Sequence, residues 1–237
     1  MVYGVTFGEK HSFRDWRLLL NERPKISPPV AKTNYIDIPG SDGHIDLTEA
    51  LTGDVKYETR QMKFTFITTK ARKKWPSLYS DILDYLHGQE MKIILDEDRS
   101  FYYIGRVSVN EWESSEKYST IVIDAEVDPY KYELFSSLED WEWDSFDFET
   151  GIIREYRELR VDGELQLEIY GRRKKITPVF ESLSDDGLGL KVRFKGMTYD
   201  IPDGVIIAPN IVINEGSNVL YFTGHGTVSV DYRGGRL

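Results

Sequence analysis

Apolar residues along this chain recur mostly at every second position, the spacing of strands with one buried face. The clearest run is 59–68, which sets Met62, Phe64 and Phe66 against Gln61, Lys63 and Thr65. Ile121, Ile123, Ala125 and Val127 repeat it. Residues 3–7, 13–20, 91–95 and 101–109 predict further strands, the last two joined by a polar turn at 96–100. Residues 36–47 predict a hairpin. Ile36 and Ile38, then Ile45 and Leu47, flank Pro39-Gly40-Ser41-Asp42-Gly43. Proline fixes φ at such a corner and glycine supplies positive φ without steric cost. One window departs from the alternation. Between Trp75 and Gly88, the residues Leu78, Tyr79, Ile82, Leu83 and Leu86 fall at helical spacing, with Pro76 suited to the first turn and Gly88 to the stop. This predicts one helix, at about 76–87, lying across a sheet.

Pro129 cannot donate to a ladder, so the first sheet is expected to end there. The domains predicted are 1–135 and 136–237. In 141–151, Trp141 and Trp143 share one face with acids on the other, and Phe146 and Phe148 repeat the pattern after a one-residue shift at Ser145. The pattern predicts a half-buried strand with an acidic outer face at the outer domain junction. Further short strands are expected at 165–170, 190–195, 205–213, 219–223 and 227–232. The turns between them are read at Asp162-Gly163, Asp185-Asp186-Gly187, Pro202-Asp203-Gly204, Asn214-Glu215-Gly216 and Gly224-His225-Gly226. This spacing predicts a β-sandwich. The fold class is therefore mainly β (α+β): a sheet domain with one helix, followed by a sandwich.

Composition narrows the class. With 15 Tyr, 11 Phe and 5 Trp the chain favours strands, and the absence of cysteine excludes disulfides and thiolate metal sites. No stretch is apolar for anything near a membrane span, and the first residues lack a basic region, so a soluble protein without export signal is expected. The net charge is −10. Residues 133–149 contribute seven acids (Glu133, Glu139, Asp140, Glu142, Asp144, Asp147, Glu149) and no base, while the rest is near balance. Such a surface repels phosphate, and no basic patch offsets it: Arg172-Arg173-Lys174-Lys175 reads as a solvated turn.

Candidate chemistry is sparse. His11, His44, His87 and His225 have no ligand-spaced partner. Asp96, Asp98 and Ser100 imitate the start of a calcium loop, but its sixth and twelfth positions are Phe101 and Val107. There is no nucleophile elbow, phosphate-cradling loop or dinucleotide fingerprint. The expectation is no catalytic, no cofactor-binding and no metal-ligating residues, and no cofactor. Forty carboxylates leave a glycosidase pair open, although no spacing selects one. Sugar binding stays an alternative. Every Trp lies at or before residue 143, leaving Tyr156, Tyr170, Tyr199, Tyr221 and Tyr232 as stacking candidates in the second domain; sheet packing is the commoner use of such residues.

A set of motifs, in order and spacing, resembles the distal tail proteins of long-tailed, non-contractile phages, especially those infecting Gram-positive bacteria. They are Phe13-Arg-Asp-Trp-Arg-Leu18, Ile38-Pro-Gly-Ser-Asp-Gly43, Tyr57-Glu-Thr-Arg60, the Trp75–Gly88 segment, 93–96, Tyr102-Tyr-Ile-Gly-Arg106, Asp128-Pro-Tyr-Lys-Tyr132, Trp143-Asp-Ser-Phe-Asp-Phe-Glu-Thr-Gly151 and Tyr232-Arg-Gly-Gly-Arg-Leu237. The resemblance implies an N-terminal domain that assembles into a homo-hexameric ring at the tip of the tail tube, and a galectin-like C-terminal sandwich projecting toward the baseplate. It implies a hub between the tail tube protein, the tail-associated hub or lysin protein and receptor-binding proteins. The location implied is the virion tail tip, assembled in the host cytoplasm, without a membrane. DNA would pass through the ring without being bound specifically, repelled if acidic residues line the lumen. The alternative is an adhesin module that recognises host cell-wall glycan.

Overall fold

The computed structural model describes residues 4–115, 118–134 and 156–237, and the chain divides into two compact units. The first comprises Met1–Asp98, Tyr102–Lys131 and Leu237; the second comprises Arg99–Phe101 and Tyr132–Arg236. The predicted strand at 141–151 lies outside the described residues, as does most of the acidic segment.

The first unit contains β1 (Val5–Phe7), β2 (Lys10–His11), α1 (Ser12–Trp16), β3 (Leu18–Leu20), β4 (Lys25–Ile26), β5 (Tyr35–Asp37), β6 (His44–Asp46), β7 (Arg60–Thr68), α2 (Trp75–Leu86), β8 (Glu90–Leu95), β9 (Phe101–Ser114) and β10 (Ser119–Val127). Its main sheet runs β2-β1-β8-β9-β10-β7-β3, with β4 also on β7 and every pairing antiparallel. The alternation in β7 does what its pattern predicts. Met62, Phe64 and Phe66 are buried, and α2 lays Leu78, Ile82 and Leu86 into the same core as Val5, Phe7, Ile121 and Ile123. Pro76 sits in the first turn of α2, and Gly88 turns the chain away at φ 76°.

The expected strand at 13–20 is a correction. Ser12–Trp16 is helical and only Leu18–Leu20 is extended. Local capping outweighs the alternation: His11 Nδ1 accepts the N–H groups of Phe13 (3.2 Å) and Arg14 (3.1 Å). Arg17 closes the turn in the left-handed region at φ 59°, donating its N–H to Phe13 O.

The second unit holds β11 (Lys131–Glu133, all but its first residue), β12 (Leu159–Gly171), β13 (Val179–Ser184), β14 (Leu190–Phe194), β15 (Met197–Ile201), β16 (Gly204–Ile207), β17 (Gly216–Asp231) and β18 (Gly235–Arg236). β17 organises it. β12 pairs along one edge of β17 from Leu159↔Val228 to Gly171↔Gly216. The other edge takes β14 against 221–223 and β13 against 226–231, with β15 and β16 outermost. Phe180, Val192, Leu220, Phe222, Val228, Val230 and Tyr232 form the core.

Two predicted turns are instead parts of strands. Gly163 lies within β12 opposite Gly224 of β17, so 219–223 and 227–232 belong to one continuous element. Gly163 supplies a left-handed φ of 84° in open space, whereas Gly226 serves close approach, since its Cβ would stand 2.4 Å from Leu183 O and 2.7 Å from Ser184 Cα. The expected strand at 205–213 shortens to Gly204–Ile207.

Gly105 has the same role in the first unit, because its Cβ would meet Glu126 O at 2.1 Å and Val127 Cα at 2.5 Å. Both contacts are backbone, so nothing can swing aside. Gly105→Ala is expected to cost about 2–3 kcal/mol, read as a lower urea midpoint. Arg60 gives a prediction of the opposite sign. It is 6% exposed, its guanidinium lies 4.8 Å from the Tyr103 ring, and Nε and Nη2 have no hydrogen-bond partner among the described residues. Desolvation pulls its pKa below the usual arginine value and pushes that of Tyr103 above the usual phenol value. Unsatisfied buried donors cost on the order of 1–3 kcal/mol, more than the roughly 1 kcal/mol that an aromatic face returns. Arg60→Met should therefore raise stability by about 1 kcal/mol, checked by the same titration.

Candidate functional site

The residues that first suggest chemistry are occupied by the fold. His11 Nδ1 caps α1, so the ring proton lies on Nε2, which donates to Asp96 Oδ2 at 3.0 Å. Asp96 Oδ2 also accepts Gly4 N–H, while Asp98 pairs with Lys131 at 2.5 Å. The acids at the start of the calcium-like run thus hold neighbouring chain in place. His87 Nδ1 accepts Val109 N–H, and His44 packs against Tyr35 with ring centroids 4.1 Å apart and planes tilted by 56°. His225 reaches Asp162 at 3.0 Å in an exposed position beside the Arg160–Asp185 pair. The Arg160 hydrogen bonds hold the Asp185 carboxyl below the usual aspartate range. No group of three or more His, Cys, Asp or Glu among the described residues is placed to hold a metal.

In the second unit the tyrosines separate. Tyr156 and Tyr232 are core, and the Tyr232 hydroxyl accepts Arg172 N–H at 2.8 Å. Tyr221 lies under the Arg193 guanidinium at 4.7 Å, and Tyr170 is exposed. The run Arg172–Lys175 is a bend with Arg173 and Lys175 exposed, as its composition suggests, but Arg172 departs from that reading. Arg172 is mostly buried and pairs with Glu133 at 3.1 Å, while Glu133 also accepts Gly234 N–H. Arg173 reaches Glu215, and Lys174 stacks over Tyr132. Glu133, the first acid of the 133–149 segment, is therefore an interior counter-charge.

What the first unit leaves without internal purpose is an arm. β5 and β6 pair only with each other, in register Tyr35↔Asp46 to Asp37↔His44, and all six of their residues are exposed. The predicted corner is present, with Gly40 at φ 84° and Gly43 at φ 77°. Its apolar residues cover no core: Tyr35, Ile36, Ile38 and Ile45 are 44–50% exposed, and Leu51 beyond them is 93% exposed. The Thr48 hydroxyl and N–H hold the Asp46 carboxyl below the usual aspartate value.

The first unit carries a second surface, which the acidic total charge of the sequence masks. Lys70-Ala-Arg72-Lys73-Lys74 places four cations in five residues, and Arg72–Lys74 form an exposed 3-10 turn leading into α2. No carboxylate pairs with any of the four among the described residues. Beside this turn is an open cleft of about 530 Å³ lined by Arg72, Trp75, Pro76, Tyr79, Trp112 and Ser114. Tyr79 and Trp112 meet edge to face, centroids 4.1 Å apart. In the second unit, Leu183, Val205 and Ile207 are exposed on β13 and the outermost strand β16.

No protein-family model and no curated protein sequence matches the chain. Among solved structures, the conserved protein of unknown function PA5104 from Pseudomonas aeruginosa PAO1 aligns over 90% of this chain and 100% of that one, at 11% identity and a TM-score of 0.27, too low to carry an argument. The crystal structure of the Dit (gp 19.1) protein of SPP1, described as a paradigm of the hub adsorption apparatus in phages infecting Gram-positive bacteria, aligns over 98% of this chain and 99% of that one. The identity is 11% and the TM-score 0.61. From end to end, this chain has a fold similar to that of a phage adsorption hub.

Proposed function

We propose that this chain is a structural component of a phage tail tip: a hexameric ring that joins the tail tube to the baseplate hub and receptor-binding proteins, and that catalyses no reaction. The observation that carries this reading is the end-to-end likeness of both units to a hub protein, with neither chain leaving a domain over. A second observation agrees with it. An isolated two-stranded hairpin is marginal in water, and the β5–β6 hairpin is both isolated and apolar. A neighbouring copy that covers it supplies the missing core. Because the arm and the surface that receives it differ, the contact is head-to-tail, and such contacts close into a ring when the rotation allows. The exposed apolar side chains on β13 and β16 offer a sheet edge to another tail protein. Genome passage through the ring would require no base recognition.

Native mass spectrometry of the full chain is expected to give six times the monomer mass; a monomer at every concentration, or an open-ended series, contradicts the ring. Ile36→Thr combined with Ile45→Thr tests the arm, keeping β-branched, uncharged residues at a directly opposed pair. Both sites are exposed, so the fold should change by less than about 0.5 kcal/mol. Each buried isoleucine contributes about 1.5–3 kcal/mol to a contact, so the hexamer should give way to folded monomer.

A further inference from the structure

Residues 33–55 carry five carboxylates (Asp37, Asp42, Asp46, Glu49, Asp54) and no lysine or arginine. Asp37, Asp42, Asp46 and Glu49 pair with no cation among the described residues. The arm is thus both apolar and negative. The surface formed by the Lys70–Lys74 run and the cleft beside it, where Pro76 is exposed and Tyr79 and Trp112 are half-buried, is both aromatic and positive. Trp75, at the cleft floor, is 6% exposed and donates its indole N–H to Lys70 O. Its cations are unpaired, and α2 begins there with no side-chain cap and no acid in its first turn, which adds the helix's own partial positive charge. Each surface lacks what the other has. No hydrogen bond or ion pair joins Asp37, Asp42, Asp46 or Glu49 to Lys70, Arg72, Lys73 or Lys74 within one copy.

We infer that the acidic arm of one copy docks on the basic, aromatic surface at the start of α2 in the next copy, seating Tyr35, Ile36, Ile38 and Ile45 against Pro76, Tyr79 and Trp112. This rests on the ring reading and specifies the surfaces that make the contact. Opposite charges at the rim set the register and speed of association, and the apolar residues supply most of the affinity. A pairing of two unlike surfaces carried on every copy propagates in one direction, as a closed ring requires. Raised salt should accordingly slow assembly more than it weakens the assembled ring.

Carbodiimide coupling tests this on the unmodified chain, because it joins a carboxylate to an amine only at direct contact. Mixed isotope-labelled and unlabelled protein should yield peptides linking Asp37, Asp42, Asp46 or Glu49 to Lys70, Lys73 or Lys74, half of them between labels. Links confined to a single label place the arm on its own copy and overturn the inference. A hexamer by native mass with no such links overturns it while the ring reading stands; no hexamer and no links overturns both. The variant Arg72→Glu/Lys73→Glu/Lys74→Glu alters exposed residues only. It should stay folded, weaken assembly at least tenfold, and recover when mixed with Asp37→Lys/Asp42→Lys/Asp46→Lys. Unchanged hexamer in the triple variant, together with lost retention on purified cell walls, assigns the surface to an anionic glycan and overturns the inference.

Discussion

A two-stranded hairpin has no interior. Its hydrogen bonds are made equally well by water, and its side chains gain from folding only when something covers them. The β5–β6 arm is in this position, with apolar residues on a short ladder and solvent on both sides. Everything else in the first unit is arranged otherwise. β7 is paired on both edges, α2 seals the core, and the buried polar groups of His11, Asp96 and Ser12 bond to backbone. The interior is not fully satisfied, since Arg60 Nε and Nη2 lack partners among the described residues, but a cluster of apolar side chains left in solvent is a feature of the arm.

The same economy accounts for the chemically suggestive residues, which the fold itself uses. A His–Asp pair serves catalysis when the far ring nitrogen is left for a substrate. In His11 that nitrogen already holds two N–H groups at the start of α1. Arg172 and Glu133 spend their charges on each other and on Gly234. The groups not spent in this way are on the surface: Asp37, Asp42 and Glu49 of the arm, the cations before α2 and the half-buried Tyr79 and Trp112 beside them. On the proposed reading, these are the means of association.

Much of the fold was legible in the sequence wherever period and punctuation agreed. Met62, Phe64 and Phe66 marked β7, and Pro76, Leu78, Ile82, Leu86 and Gly88 marked α2, because both faces of each element are decided by burial. The hairpin corner was legible from Pro39, Gly40 and Gly43, but that its isoleucines face solvent was not, since alternation reports a face and not what covers it. The helix at Ser12–Trp16 was hidden because a histidine supplies the cap usually provided by Ser, Thr, Asp or Asn. β17 was divided in two because glycines needed for close strand approach look like turn glycines. Arg172 was assigned to solvent because its partner, Glu133, is distant in sequence. The basic surface at Lys70–Lys74 was present in the letters and masked by the acidic total.

Amide hydrogen exchange across protein concentration addresses the central claim, that the arm is completed by another copy. The N–H groups of Tyr35–Asp37 and His44–Asp46 should exchange freely in dilute protein. They should become protected on concentration, in step with assembly, while those of β7 and β10 stay protected throughout. Equal exchange of the arm at both extremes would mean that no copy covers it, and would contradict the account.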